Sequence, residues 1–159
     1  KNKGKNYNTT GHLDNYSKRV YKLKHLHIIM INAKAKGSNG ERFLLNNFWE
    51  NGWACLRTAG SGSMSFPAPD LIAGNKIRRV AVECKVTKDE SKYFQKAEIE
   101  QLKSFSEFFG SEAWVAVKLS NNPWYFLSLD DLKETEKNFL ANINICKSKG
   151  FLVEEFFSF

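Results

Sequence analysis

At 159 residues the chain is one domain long enough to bury a sizeable core, and its longest aliphatic run near the start, Ile28-Ile29-Met30-Ile31, falls far short of the ~20 apolar residues that span a membrane. The formal charge of +7 is unevenly placed: residues 1–36 hold nine Lys/Arg and one acidic residue, whereas residues 37–159 hold fifteen Lys/Arg and sixteen Asp/Glu. Cys55, Cys84 and Cys146 are odd in number and set among apolar residues, which predicts reduced core thiols in a cytoplasmic protein; all three histidines fall in the first 27 residues, which excludes a His-based nuclease, a zinc finger or a serine triad in the folded part.

Residues 1–29 are polar, rich in Lys and Asn, and show no sustained period or secretory signal pattern. They read as a basic, disordered extension that adds non-specific phosphate affinity ahead of a folded domain at 30–159. Ser38 or Asn39 is placed to cap a helix to about residue 50, with Phe43, Leu44, Leu45, Phe48 and Trp49 as its apolar face and Gly52 as its end. Glu41 precedes Leu44, Leu45 and Phe48 by three, four and seven residues, so it shares the inward side of that helix. Either it simply favours the positive end of the helix, or it sits at the rim of the core and needs a partner such as a metal ion. Residues 53–58 make the first strand, with Arg57 emerging at its end, and the Gly/Ser-rich run 59–67 predicts a mobile loop.

Residues 69–85 predict a hairpin of two short strands with its turn at Gly74-Asn75, because β-branched residues flank turn chemistry. Side chains alternate along a strand, so Glu83 and Lys85 share one face while Val82, Cys84 and Val86 point into an apolar core. If Ile72 or Ala73 pairs with Arg78 or its neighbour, Asp70 lies across from Val80 and Ala81, within diagonal reach of Glu83. Two carboxylates and an ammonium then converge. Asp70 and Glu83 are hard oxygen donors suited to Mg²⁺ or Mn²⁺, and Lys85 is placed to meet an attacking water or the charge that builds on phosphorus. The plain alternative is a surface hairpin whose charges face solvent.

Residues 86–94 carry Lys88 and Lys92 offset by Asp89 and Glu90, a weak phosphate-contact segment. Residues 95–109 predict a second helix with Ile99, Leu102, Phe105, Phe108 and Phe109 on one side. Strands follow at 114–119 and 124–129, then a short helical turn from Asp130 to residue 137 and a strand at 139–145. The apolar end, with Phe151, Leu152, Phe156, Phe157 and Phe159, either completes the core or forms part of a dimer face.

Pro69-Asp70 followed by Glu83-Cys84-Lys85 resembles the PD-D/ExK nuclease signature. With Gly37-Ser38-Asn39-Gly40-Glu41-Arg42 and Arg57-Thr58-Ala59-Gly60-Ser61-Gly62-Ser63 ahead of it, the ordered set resembles the archaeal Holliday junction resolvases, from about Met30 to Lys118 and more weakly to the C-terminus. That resemblance implies a restriction-endonuclease-like α/β fold with a central mixed sheet of five strands and a helix against each face. It implies a catalytic set of Glu41, Asp70, Glu83, Lys85 and Ser63, with Asp70, Glu83 and Glu41 on Mg²⁺ or Mn²⁺. Lys34, Lys36, Arg42, Arg57, Ser61 and Lys88 are the implied DNA contacts. The implied substrate is four-way junction DNA, cut by a homodimer that works with replication or recombination proteins. Many relatives carry glutamine where Glu98 aligns, which leaves the role of this helix open. Another nuclease on the same scaffold and a non-catalytic branched-DNA-binding protein are the alternatives.

Overall fold

The computed structural model describes residues 39–58 and 66–158; the expected domain boundary near residue 29 lies outside them. Helix α1, Asn39–Glu50, buries Leu44 and Phe48, one turn apart, and ends where Gly52 adopts φ 83 and the Trp53 N–H donates to the Phe48 carbonyl at 2.9 Å. The next elements are β1 (Ala54–Arg57), β2 (Leu71–Gly74), β3 (Arg79–Thr87), β4 (Ser91–Gln95) and α2 (Lys96–Phe109). They are followed by β5 (Glu112–Leu119), β6 (Trp124–Ser128), β7 (Lys133–Glu134), β8 (Asn138–Asn142), α3 (Ile143–Lys149), β9 (Phe151–Leu152) and α4 (Val153–Phe156).

Six strands form a mixed sheet in the order β1-β2-β3-β5-β6-β9, in which only the β3–β5 pair is parallel. A parallel pair needs a crossover, and β4 with α2 supplies it. Alternation along the central strands gives the sheet two apolar faces. Val80, Val82 and Cys84 of β3 and Trp114 and Ala116 of β5 pack with Leu44 and Phe48 of α1. Ala81, Val115 and Val117 face the other way, against Ile99 and Leu102 of α2. Gly40 makes close contact between α1 and the sheet possible: a Cβ there would lie 2.9 Å from Val86 Cγ2 and 3.0 Å from the Trp124 ring. The first turn of α1, which carries Glu41, is thereby held down on the end of β3.

Several expectations are corrected. The sheet has six strands, and β4, β8 and β7 form a second sheet of three. In β4 only Phe94 is buried, so the charged sequence around it hides the strand. The strand expected at 139–145 stops at Asn142, whose side chain accepts the Ile145 N–H at 2.9 Å and caps α3. The helical turn after Asp130 ends at Asp131 and gives way to β7. Val86 is 61% exposed rather than buried, because it lies beyond the apolar stretch of its face. Of the apolar C-terminal residues, Phe156 and Phe157 pack into the chain's own core: Phe156 is fully buried, its ring stacked on Phe126 with centroids 4.0 Å apart, and Phe157 meets Phe48 edge-on at 5.0 Å, whereas Phe159 lies outside the described residues. Among the described residues no helix is long and apolar enough to cross a membrane.

Candidate active site

The hairpin register is shifted by two to three residues from the expected one, and the shift tightens the site. Asn75 Oδ1 accepts the N–H groups of Ile77 and Arg78, each at 2.8 Å, so the turn spans residues 75–78 and Leu71 pairs with Val82. Continued by one step, that register sets Asp70 opposite Glu83. Alternation places Leu71 and Ala73 in the α1-side core, which turns Asp70 to the α2 side, the face that Glu83 and Lys85 share with Ala81.

Asp70 Oδ2 accepts the backbone N–H of Cys84 at 2.9 Å. Lys85 Nζ lies 2.6 Å from Glu83 Oε1 and 2.7 Å from Glu98 Oε1 on α2. Asp70, Glu83, Lys85, Glu98 and Gln101 line a cavity of about 230 Å³. Burial pushes the Glu83 carboxyl up to about 7; the Lys85 hydrogen bond opposes this, and the negative charges of Asp70 and Glu98 reinforce it. Burial pulls Lys85 down, but its hydrogen bonds to Glu83 and Glu98 outweigh that and hold it above the usual lysine value, so it remains an ammonium at neutral pH. The buried Cys84 thiol is driven well above its ordinary value by burial, and then by Asp70, Glu83 and Glu41, which places all three carboxylates within electrostatic reach of one residue of β3.

Asp70 and Glu83 are therefore the donors that fit a hard divalent cation. They offer carboxylate oxygens on an open cavity, and a cation would offset the burial, and with it the neighbouring negative charge, that raises Glu83. Among the described residues no three His, Cys, Asp or Glu side chains form a closed metal cage, and Mg²⁺ commonly binds through one or two carboxylates with water and phosphate completing its shell. Glu41 stands on α1, which packs the other face, and is ion-paired with Arg57 Nε. Arg42 is half-buried on α1, and Lys88 is exposed just past β3. Ser61, Ser63, Lys34 and Lys36 lie outside the described residues. The sequence reading missed Glu98 as a partner of Lys85 and Gln101 as a wall of the cavity; their spacing of three on one helix face was the available signal.

Two carboxylates and an ammonium on one hairpin of a mixed sheet, with helices on both faces, define the class as the PD-D/ExK nucleases. Residues 32–159 match the family model described as archaeal Holliday junction resolvase, Hjc. The chain is 45% identical over 106 residues to the crossover junction endodeoxyribonuclease Hjc of Archaeoglobus fulgidus, covering 67% of this chain and 78% of that protein. It is 36% identical over 110 residues to the same-named protein of Methanocaldococcus jannaschii, covering 69% and 78%. The solved structure of Archaeoglobus fulgidus Hjc, described as a Holliday junction resolvase, superposes with a TM-score of 0.71 at 38% identity, over 77% of this chain and all of that one. The chain belongs to the archaeal Holliday junction resolvase family.

Proposed function

We propose that the protein is a junction-specific endonuclease that hydrolyses DNA phosphodiesters at four-way junctions, using Mg²⁺ or Mn²⁺ held by Asp70 and Glu83. The observation that carries this reading is the convergence of Asp70, Glu83 and Lys85 on one cavity at the hairpin. The names of the relatives support the substrate and the reaction class.

The backbone bond from Cys84 fixes the Asp70 carboxylate in one orientation, and strand β3 delivers Glu83 beside it. Lys85, kept charged by its two carboxylate partners, donates hydrogen bonds to the phosphoryl oxygens on which negative charge builds as water attacks phosphorus. Asp70 and Glu83 would hold the divalent cation, which would supply Lewis-acid polarisation of the phosphate. Glu41 of α1, ion-paired with Arg57, would add a third carboxylate at the end of β3 from the opposite face of the sheet. Ser61 and Ser63 contact the phosphate beside the scissile bond, and Lys34, Lys36, Arg42 and Lys88 contact flanking phosphates. Such contacts read the shape of the branch rather than base sequence. A homodimer matches the approximate two-fold symmetry of the junction and presents two equivalent sites for paired cuts. The protein acts in the cytoplasm alongside replication or recombination partners.

Labelled four-way junction and linear duplex, each incubated with purified protein with and without Mg²⁺, test the reading. Junction-selective, Mg²⁺-dependent nicking is expected. Cleavage independent of a divalent cation, or equal cutting of both substrates, would overturn it.

A further inference from the structure

Lys85 is bonded at once to a carboxylate that the proposed cation needs and to one that it does not. Its Nζ is 2.6 Å from Glu83 Oε1 and 2.7 Å from Glu98 Oε1. A cation drawing on Glu83 competes with the ammonium for the same oxygen, and like charges oppose one another across so short a distance. Something must then hold Lys85 aside without letting it swing out to solvent. Glu98 is built for this. It lies in the first turn of the fourteen-residue helix α2, on the wall of the cavity that faces Lys85. The adjacent Ile99 and the nearby Leu102 are buried against the sheet, so the backbone that carries Glu98 is fixed relative to β3. Gln101, one turn on, lines the same wall of the cavity.

We propose that Glu98 is the positioning residue of Lys85: it retains the ammonium beside the reacting phosphate when a divalent cation takes up Glu83. This rests on the reading of Asp70 and Glu83 as the cation site. A glutamine at this position would keep the shape and lose the charge, removing the ion pair that draws Lys85 away from Glu83.

The test is a double-mutant cycle read by calorimetric Mn²⁺ binding to the full chain without DNA, using wild type, Glu98→Gln, Lys85→Met, the double variant and Asp70→Asn. If Glu98 acts through Lys85, Glu98→Gln weakens Mn²⁺ binding about tenfold when Lys85 is present and less than about threefold in the Lys85→Met background, a coupling typical of contacting groups. On junction DNA the same variant lowers kcat while leaving KM near the wild-type value, because the ammonium is displaced from the reacting centre and not from the phosphate contacts that bind substrate. Equal weakening of Mn²⁺ binding in both backgrounds would make Glu98 a mere source of negative potential and overturn the inference. So would no weakening at all. Wild-type Mn²⁺ binding that is absent or indifferent to Asp70→Asn would instead defeat the underlying site, and the inference with it.

Discussion

The backbone N–H of Cys84 donates to Oδ2 of Asp70 at 2.9 Å, just past the last ladder pair of β2 and β3, Leu71 with Val82. On the other side the Asp70 carbonyl accepts the Thr58 N–H, also at 2.9 Å. Asp70 is thus tied to both neighbouring strands, by side chain to β3 and by main chain to the end of β1. The carboxylate is part of the sheet's own hydrogen bonding, which holds it preorganised at the cavity.

Lys85→Met separates the two roles of positive charge in the cavity. With the ammonium gone, cleavage of a four-way junction should fall by at least about a hundredfold, as losing one preorganised donor does elsewhere, while Mn²⁺ binds as tightly as before or more tightly because its competitor for Glu83 is removed. Single-turnover cleavage and calorimetry check the two halves. Retained cleavage would remove Lys85 from the chemistry.

The raised Glu83 carboxyl has a consequence for stability. Its folded value of about 7 lies above the ordinary value of 4.5 that the unfolded chain restores, so between those pH values the folded state holds a proton that the unfolded state releases. The stabilisation is full below pH 4.5 and is lost as pH rises through 7. The side chain is only 14% exposed, so the loss is on the order of 3 kcal/mol. Urea unfolding in chelator between pH 4.5 and 8 should show this decline in wild type and a flatter profile in Glu83→Gln. The same decline in both proteins would assign it to another group.

Phe157→Asp should unfold the protein more easily and leave its mass in solution unchanged. The Phe157 ring packs on Phe48, Trp53, Phe126 and Phe156, so the change removes core contacts and puts a carboxylate among them. A loss of about 3 kcal/mol or more is expected, which lowers the melting temperature by roughly 10 °C in a domain of this size. Melting and light scattering report the two quantities. A stable variant of halved mass would place Phe157 in a subunit interface instead.

The hairpin that carries Asp70, Glu83 and Lys85 was legible because its information is local. A period of two fixes which side chains share a face, so Glu83 and Lys85 follow from spacing alone, and Asp70 needed only a turn between two β-branched runs. The register was missed by two to three residues because the Asn75 side chain organises the turn from within, which pattern does not reveal. Glu98 was visible as a helical residue but not as a partner of Lys85, since sequence period gives a helix its face without saying which strand that face meets. The second sheet was hidden for a related reason: β4 buries only Phe94 and reads as a charged linker. The terminal phenylalanines read equally well as core or as interface, because burial by one's own chain and burial by a second copy leave the same apolar pattern.

Asp70→Asn in a Mg²⁺ titration with labelled four-way junction tests most directly whether this cavity is the active site. Asparagine keeps an oxygen to accept the Cys84 N–H, so the hairpin and the fold should survive, with junction binding close to wild type. Cleavage by wild type should rise with Mg²⁺ to saturation, and cleavage by the variant should stay at least about a hundredfold lower at every concentration, since one of two charged ligands is gone. A variant that cuts the junction at the wild-type rate would contradict the assignment of this cavity as the active site.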